Sequence, residues 1–336
     1  MKAIELQEYN QNIIRVLVGL KATEIEKPIP LKNQILIKIM ASPCNPSDIA
    51  FIRGGYNIQK VLPKVLGFEG SGIVVEAGDD INAQKLIGKR VCCFTQEDEN
   101  GTWAEYFATD YKNCLVIKDE LSYEHAACFF INPFTAFGLM QIAIENKSEA
   151  IVQTAAGGQL ASFIRTIAKK NNIKVINVVR KDETVKALES IGEKYNLNLS
   201  SENFESSLQQ MALQLNATTT FDAVGGDVTG QIFNNLPKNS KLVLYGGLSG
   251  APVGNISSLN LIFKNSTIMG FNLNAYIENL GVDKLLELSN SLQDMIINDE
   301  VHTEIQGSFP LEEVGTALKT YISNMSKGKI LFKPWG

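Results

Sequence analysis

From Ala150 onward the chain alternates two textures. AIVQTA, KVINVV, TTTFDAV and SKLVLYGG read as strands, whereas GQLASFIRTIAKKN, ETVKALESIG, FESSLQQMALQL and VTGQIFNNL carry helical periodicity. Few folds accept this order. Strands that alternate with helices pair in parallel, because each crossover returns the chain to the same end of the sheet, and the crossovers are right-handed. A doubly wound α/β sheet with helices on both faces, the Rossmann pattern, is therefore expected over this stretch.

The turn after the first of these strands reads Thr154-Ala155-Ala156-Gly157-Gly158-Gln159-Leu160-Ala161. Small residues at Ala155, Gly158 and Ala161 keep the spacing of a dinucleotide-binding turn: a tight bend, close approach to a pyrophosphate, and close packing of helix on strand. The anion would sit on the helix N-terminus, where N–H groups and the dipole favour negative charge. Ala155, Gly158, Gln159 and Leu160 are thus candidate cofactor contacts. Alanine replaces the first and third glycines of the pattern, and a plain packing turn is the alternative. The second strand ends in Arg180-Lys181, near the position, roughly 20 residues beyond the turn, where an NAD-type site places a carboxylate. Arginine instead pairs with a 2′-phosphate, so Arg180 and Lys181 point to NADPH; a solvated basic pair is the alternative. Val224-Gly225 and Tyr245-Gly246-Gly247 follow later strands at the edge where open sheets bind ligands, although such glycines also make ordinary turns.

Before Ser122 the texture differs. MKAIEL, IIRVLV, QILIKIMA, GSGIVVEAG, KRVCCF, WAEYFAT and CLVI read as short strands divided by turn residues, a compact barrel-like β unit. After it come longer helix-period residues, YEHAACFFINPFTAFGLMQIAIEN, and beyond the alternating stretch a long helix from Ala275 to about Asn298, another from Glu312 to Ser323 and a strand KILF. A length of 336 residues favours two domains, and 45% hydrophobic with 20% charged residues is the balance of a globular chain. The net charge of -5 and the lack of a basic run argue against nucleic acid or an anionic membrane, leaving a small-molecule substrate. No apolar window reaches the roughly 18 residues of a membrane span, and MKAIELQEYN lacks a signal-peptide core, so a cytoplasmic location is expected. Five cysteines without C-x-x-C spacing read as buried free thiols.

In combination these segments resemble the medium-chain dehydrogenase/reductase family, in particular its zinc-less quinone oxidoreductase and 2-enoyl thioester reductase branches. The anchors span nearly the whole chain: NPSDIAFIRGGY, LPKVLGFEGSGIVVEAG, GTWAEYFA, NPFTAF, the A-x-x-G-x-x-A turn, KVINVVR, FDAVGG, LVLYGGLSG, FKNSTIMGF and GKILF. The resemblance implies a GroES-like β-barrel catalytic domain over 1–122 and 273–336, with the Rossmann domain, 123–272, inserted. It implies that Tyr56 is a proton donor or hydrogen-bonding acid, that Asn45 orients the nicotinamide or the substrate, and that Thr135 lies beside the nicotinamide. A homodimer is expected, with STIMGF as the edge that continues the sheet. One departure concerns the tyrosine that quinone oxidoreductases place near the adenosine phosphate, because the matching position here is Leu199.

Zinc-dependent members carry a cysteine where this chain has Asn45, a histidine at Phe68, and a cysteine or acid near Ile131; none of the three replacements is a zinc ligand. Cys44 points to the opposite side of an extended segment, TQEDENGT replaces the structural-zinc loop, and His125 and His302 fall outside the motifs. No metal is expected. Conjugate reduction, in which charge spreads over an enolate, needs less polarisation than alcohol oxidation, so hydride would pass to a quinone or an α,β-unsaturated carbonyl. Tyr56, with an ordinary pKa near 10, would stay protonated, and Asp48 reads as a cap. The alternatives are an enoyl thioester reductase and a non-catalytic NADPH-binding structural or redox-sensing protein.

Overall fold

The computed structural model describes residues 1–96 and 98–335, so Glu97 of the TQEDENGT segment lies outside the described residues. The chain forms two compact units, Met1–Asn132 with Val282–Gly336, and Pro133–Gly281. The first begins with β1 (Lys2–Leu6), α1 (Ile13–Gly19), β2 (Ala22–Glu24), β3 (Gln34–Pro43), α2 (Pro46–Ile52), β4 (Lys64–Val65) and β5 (Glu69–Ala77). It continues through α3 (Ile81–Gln84), β6 (Arg90–Phe94), β7 (Tyr106–Asp110), β8 (Cys114–Val116) and α4 (Tyr123–Ala127). Helix α5 (Ile131–Glu145) crosses into the second unit, followed by β9 (Ala150–Gln153), α6 (Gln159–Lys170), β10 (Lys174–Val179), α7 (Asp182–Ser190) and β11 (Tyr195–Asn198). Then come α8 (Phe204–Leu215), β12 (Ala217–Asp222), α9 (Gly226–Asn234), β13 (Lys241–Leu244), α10 (Ser258–Phe263), β14 (Thr267–Gly270) and α11 (Leu273–Leu280). The chain returns to the first unit through α12 (Val282–Ile297), β15 (Ile305–Phe309), α13 (Val314–Ser323) and β16 (Lys329–Phe332).

The doubly wound sheet is present in the second unit. Its order is β11-β10-β9-β12-β13-β14 and every pairing is parallel. The order reverses between β9 and β12, the switch point beside which such sheets leave a crevice at their carboxyl ends. The strands are apolar because helices cover them, and Val152, Ile176, Val178, Leu208 and Ile232 share one buried cluster.

In the first unit β3 is the organising strand. It pairs with β5, β7 and β16, all antiparallel, within the order β15-β16-β3-β5-β6-β8, and β2-β1-β4 forms a smaller sheet. Ile35, Ile37 and Ile39 alternate inward onto Val74, Val91 and Phe107, the period-2 pattern of a sheet with one core face. Gly72 lets β5 come close, since a Cβ there would lie 2.0 Å from the Lys38 carbonyl oxygen.

Four local expectations are corrected. IIRVLV is a helix, α1, because the Asn12 side chain accepts the N–H groups of Ile14 and Arg15 and caps it, which outweighs the β propensity of its branched residues. The helix expected from Ala275 to Asn298 is two, α11 and α12, divided at Gly281 by a left-handed φ of 73°. A short strand, β11, separates ETVKALESIG from FESSLQQMALQL; its YNLN sequence carries little apolar signal because it is an edge. The stretch from Tyr123 is likewise broken, into α4 and α5.

Candidate active site

In the first unit the site is built around the start of α2. Pro46 sets the first turn, and the Asp48 carboxylate reaches back to accept the Asn45 N–H at 2.7 Å while accepting Phe68 N–H at 3.1 Å. The expected capping role of Asp48 is what its geometry shows. Burial pushes its carboxyl up to about 7, against the opposing hydrogen bonds from the Asn45 backbone and side chain. With the cap supplied by Asp48, the Asn45 side chain is free to turn inward. Its Nδ2 donates to Glu69 Oε1 at 2.9 Å, and its Oδ1 accepts from Lys329 Nζ. Glu69 takes a second donor, the Ile131 N–H, at 3.0 Å through Oε2, and burial raises its carboxyl above the usual range. Asn45, Glu69 and Lys329 are all buried, so the Asn45 amide is committed to a polar network rather than lying open.

Tyr56 follows α2. Its ring is tilted on Phe68 at 5.5 Å between centroids, and its hydroxyl accepts the Gln96 amide at 2.7 Å. Burial raises its pKa above the ordinary tyrosine value, so the phenol stays protonated at neutral pH. Among the described residues its own O–H donates to no acceptor. Phe68 also meets Phe51 edge-on at 5.5 Å, and the Lys60 ammonium sits 5.8 Å from the Phe68 ring centre, donating to the Glu99 carbonyl at 2.7 Å. Removal from water lowers the Lys60 pKa to about 8.

The three positions compared with zinc ligands therefore hold an amide tied to Glu69 and Lys329, a phenyl ring packed on Tyr56 and Phe51, and a backbone N–H spent on Glu69. None offers a thiolate, imidazole or carboxylate. Cys44 is buried, its thiol 3.8 Å from the Asn45 carbonyl oxygen, and burial raises its pKa far above the thiol norm, which opposes metal binding. Among the described residues no group of three or more His, Cys, Asp or Glu side chains could hold a metal ion.

In the second unit the carboxyl ends of β9, β10, β12 and β13 share one edge, which brings Ala155, Gly158, Arg180, Lys181, Val224, Gly225, Tyr245, Gly246 and Gly247 to that edge. Ala155 carries the tight turn in the left-handed region, φ 49°, where the pattern has glycine. Gly158 is the N-cap of α6 and puts no side chain across its first turn, where Gln159 and Leu160 begin. Arg165 donates to the Ala156 carbonyl at 2.7 Å and steadies the loop from below. Arg180 and Lys181 are exposed, with no carboxylate partner among the described residues. Leu199 donates its N–H to the Val179 carbonyl at 2.8 Å and packs on the core, so an aliphatic side chain stands where the pattern has a tyrosine. Thr135 is buried in the second turn of α5.

Four residues that sequence reasoning passed over complete these arrangements: Glu69, Lys329, Gln96 and Asp222. Asp222, fully buried at the end of β12, accepts from the Thr154 hydroxyl at 2.8 Å, Val224 N–H at 2.8 Å, Gly225 N–H at 3.3 Å and the Thr229 hydroxyl at 2.6 Å. It ties the β9 turn to the β12 loop across the switch point. A lone acid closing an apolar strand, as in TTTFD, was its available signal, and Glu69 beside Phe68 offered a similar one.

Residues 31–119 match the alcohol dehydrogenase GroES-like domain, and residues 160–290 match the zinc-binding dehydrogenase domain. A candidate NADPH:quinone reductase from Mesorhizobium loti is 30% identical, with a TM-score of 0.92 over 99% of this chain and 98% of that one. The chain belongs to the medium-chain dehydrogenase/reductase family. A mitochondrial enoyl-[acyl-carrier-protein] reductase of Arabidopsis thaliana is 25% identical over 332 residues, 97% of this chain and 86% of that protein. Escherichia coli quinone oxidoreductase complexed with NADPH shares the fold, with a TM-score of 0.86, 23% identity, and coverage of 99% and 100% of the two chains. Within this family the chain sits with quinone oxidoreductases and enoyl reductases, the branches that its motifs resemble.

Proposed function

We propose that this chain is an NADPH-dependent reductase of quinones or α,β-unsaturated carbonyls that works without a metal. The observation that carries the reading is the polar arrangement at the three ligand positions: an amide network, a packed phenyl ring and a spent backbone N–H, with the protonated hydroxyl of Tyr56 against that ring. The names of the relatives support it. NADPH, when bound, supplies the hydride. The first turn of α6 and the glycine-rich ends of β12 and β13 are suited to its pyrophosphate and nicotinamide halves, with Thr135 on α5 as a further contact. Arg180 and Lys181, which are exposed and make no ion pair among the described residues, are suited to the 2′-phosphate. As hydride adds, negative charge gathers on the carbonyl oxygen of the substrate, and Tyr56 gives its proton to the resulting enolate or quinol anion, a role in which positioned acids contribute roughly 10²- to 10⁴-fold. The Gln96 amide on the Tyr56 oxygen stabilises the phenolate left behind.

An enoyl thioester reductase is the second reading, favoured by the enoyl-[acyl-carrier-protein] reductases among the relatives. The test follows NADPH absorbance with a quinone, an enone and a crotonyl thioester. Turnover of one of them, reduced about 100-fold or more by Tyr56→Phe at unchanged NADPH affinity, is expected. Measurable NADPH binding with no oxidation by any acceptor would leave the non-catalytic alternative standing.

The same reading includes a homodimer and a cytoplasmic location. Strand β14 is the exposed edge of the parallel sheet, and Leu259, Ile262 and Phe263 of α10 are 63, 65 and 74% exposed beside it in sequence. An unpaired edge with neighbouring apolar side chains suits a second copy related by twofold symmetry. Five free cysteines, four of them buried, suit a reducing compartment. Among the described residues no helix is long and apolar enough to cross a membrane.

A further inference from the structure

Three carboxamides stand side by side inside the second unit. Gln153 on β9 is in register with Asn177 on β10, and Asn177 with Asn196 on β11. Gln153 and Asn177 are fully buried, where a polar group holds its place only when it is paired. Gln153 Nε2 donates to Asn177 Oδ1 at 2.7 Å, and Asn177 Nδ2 donates to Asn196 Oδ1 at 3.0 Å. The row ends at Glu193. Its Oε2 accepts the second hydrogen of Asn177 Nδ2 at 3.4 Å, and its carbonyl accepts from Asn196 Nδ2 at 2.8 Å. Within the row only Gln153 Oε1, at the far end, lacks a partner among the described residues.

From Glu193 the contacts continue to the turn after β9. Glu193 Oε1 lies 3.6 Å from Arg165 Nε, in a pair whose side chains are 27% and 11% exposed. Arg165 Nη1 in turn donates to the Ala156 carbonyl at 2.7 Å. Ala156 is fully buried and its N–H goes to the Val178 carbonyl at 3.2 Å, so the guanidinium completes the pairing of this residue. A trans peptide places its N–H opposite its C=O. The bond that draws the Ala156 carbonyl toward Arg165 therefore turns the Gly157 N–H the other way. That N–H meets no acceptor among the described residues.

We propose that Arg165 is a positioning residue for the cofactor turn: held by Glu193 and the amide row, it fixes the Ala156–Gly157 peptide so that the Gly157 N–H serves the pyrophosphate of NADPH. The inference rests on the reading of this turn as the pyrophosphate site. Arginine suits the task, because its planar fork serves a carboxylate and a carbonyl at once. The turn also needs a hold from outside. Ala155 sits at a left-handed φ of 49°, a conformation that costs a residue with a Cβ and persists only where the surroundings enforce it. A peptide free to turn over would set its carbonyl dipole against the anion.

The test compares Arg165→Met, Arg165→Lys, Glu193→Gln and the double variant Arg165→Met/Glu193→Gln in the full chain. Circular dichroism checks that each folds. Kd is measured for NADPH and for adenosine 2′-monophosphate, which has the 2′-phosphate and no pyrophosphate, and the Gly157 amide resonance is followed by NMR. Arg165→Met is expected to raise the Kd for NADPH about 10-fold, the scale of one lost charge-assisted hydrogen bond, and to shift the Gly157 resonance. Its Kd for adenosine 2′-monophosphate should stay at the wild-type value. Arg165→Lys should recover part of the NADPH affinity, and Glu193→Gln should lose less than Arg165→Met. The double variant should match Arg165→Met, because Glu193 acts through the guanidinium. An unchanged Kd for NADPH, equal weakening of both ligands, or additive losses in the double variant would overturn the proposal. Should Arg165→Met fail to fold, Arg165→Lys and Glu193→Gln decide it with the same two ligands. If wild type binds no NADPH, the cofactor reading fails, and the Gly157 resonance alone decides: moved by Arg165→Met, the hold on the peptide stands; unmoved, it falls.

Discussion

Asp222 is where one substitution tests the architecture of the nucleotide edge most directly. Its two oxygens receive four donors, two hydroxyl and two backbone. In Asp222→Asn the remaining oxygen keeps its bonds to Thr154 and Val224 if the new amide nitrogen takes the Oδ2 position. The Thr229 hydroxyl can rotate and accept from that nitrogen, but the Gly225 N–H cannot. One buried backbone donor is stranded and the charge assistance on the others is lost, a cost of about 2 kcal/mol. Asp222→Ala strands all four and should cost about 4 kcal/mol or more. Urea unfolding measures both. Circular dichroism is the suitable probe, because Trp103 and Trp335 both lie in the first unit and report little on the second. NADPH affinity should fall in the same order, since the Thr154 turn and the Val224-Gly225 loop lose their common anchor. Equal costs for asparagine and alanine, or a cost under about 1 kcal/mol for alanine, would refute this account of the switch point.

Arg180→Ala should raise the Kd for NADPH by about 10- to 100-fold and leave NADH unchanged, the loss of one charged phosphate contact; equal effects on both nucleotides in a binding titration would remove Arg180 from that role. Asp48, pushed up to about 7, still holds its proton in the folded chain where the unfolded chain has lost it. Its contribution to stability therefore declines as pH rises from about 4 to about 7, and Asp48→Asn should flatten that slope in unfolding curves taken across the window. An unchanged slope would assign it to other groups. Phe263→Glu, placing a charge on the exposed face of α10, should convert a dimer to a monomer in light scattering, and a wild-type monomer at micromolar concentration would remove the dimer from the reading.

The alternating stretch from Ala150 to Leu244 was legible because strand and helix differ in period and the turn residues punctuate them. The strands that escaped notice, such as β11, are short and edge-lying, so they have only one neighbour to demand apolar residues. IIRVLV misled because branched residues favour strands on average, whereas one asparagine cap decides the matter locally. Asn45 and Tyr56 stood out through a short motif. Lys329 could not, because its bond to Asn45 spans 284 residues and nothing at position 329 announces it. Gln96 was hidden for a related reason: its partner, Tyr56, lies 40 residues earlier in another loop.

That long separation also governs when the site can exist. Residues 133–281 form a unit from one continuous stretch, able to complete itself as soon as it has left the ribosome. The first unit cannot. Its strand β3 is made early but pairs at Ser42 and Pro43 with β16, and the cation for Asn45 arrives only with Lys329. Until residue 329 is translated, then, Glu69 and Asn45 lack their ammonium, and the polar network cannot close. A nascent chain halted before Lys329 would hold a finished nucleotide sheet and an unfinished polar network, so that network waits on a residue 284 positions beyond Asn45.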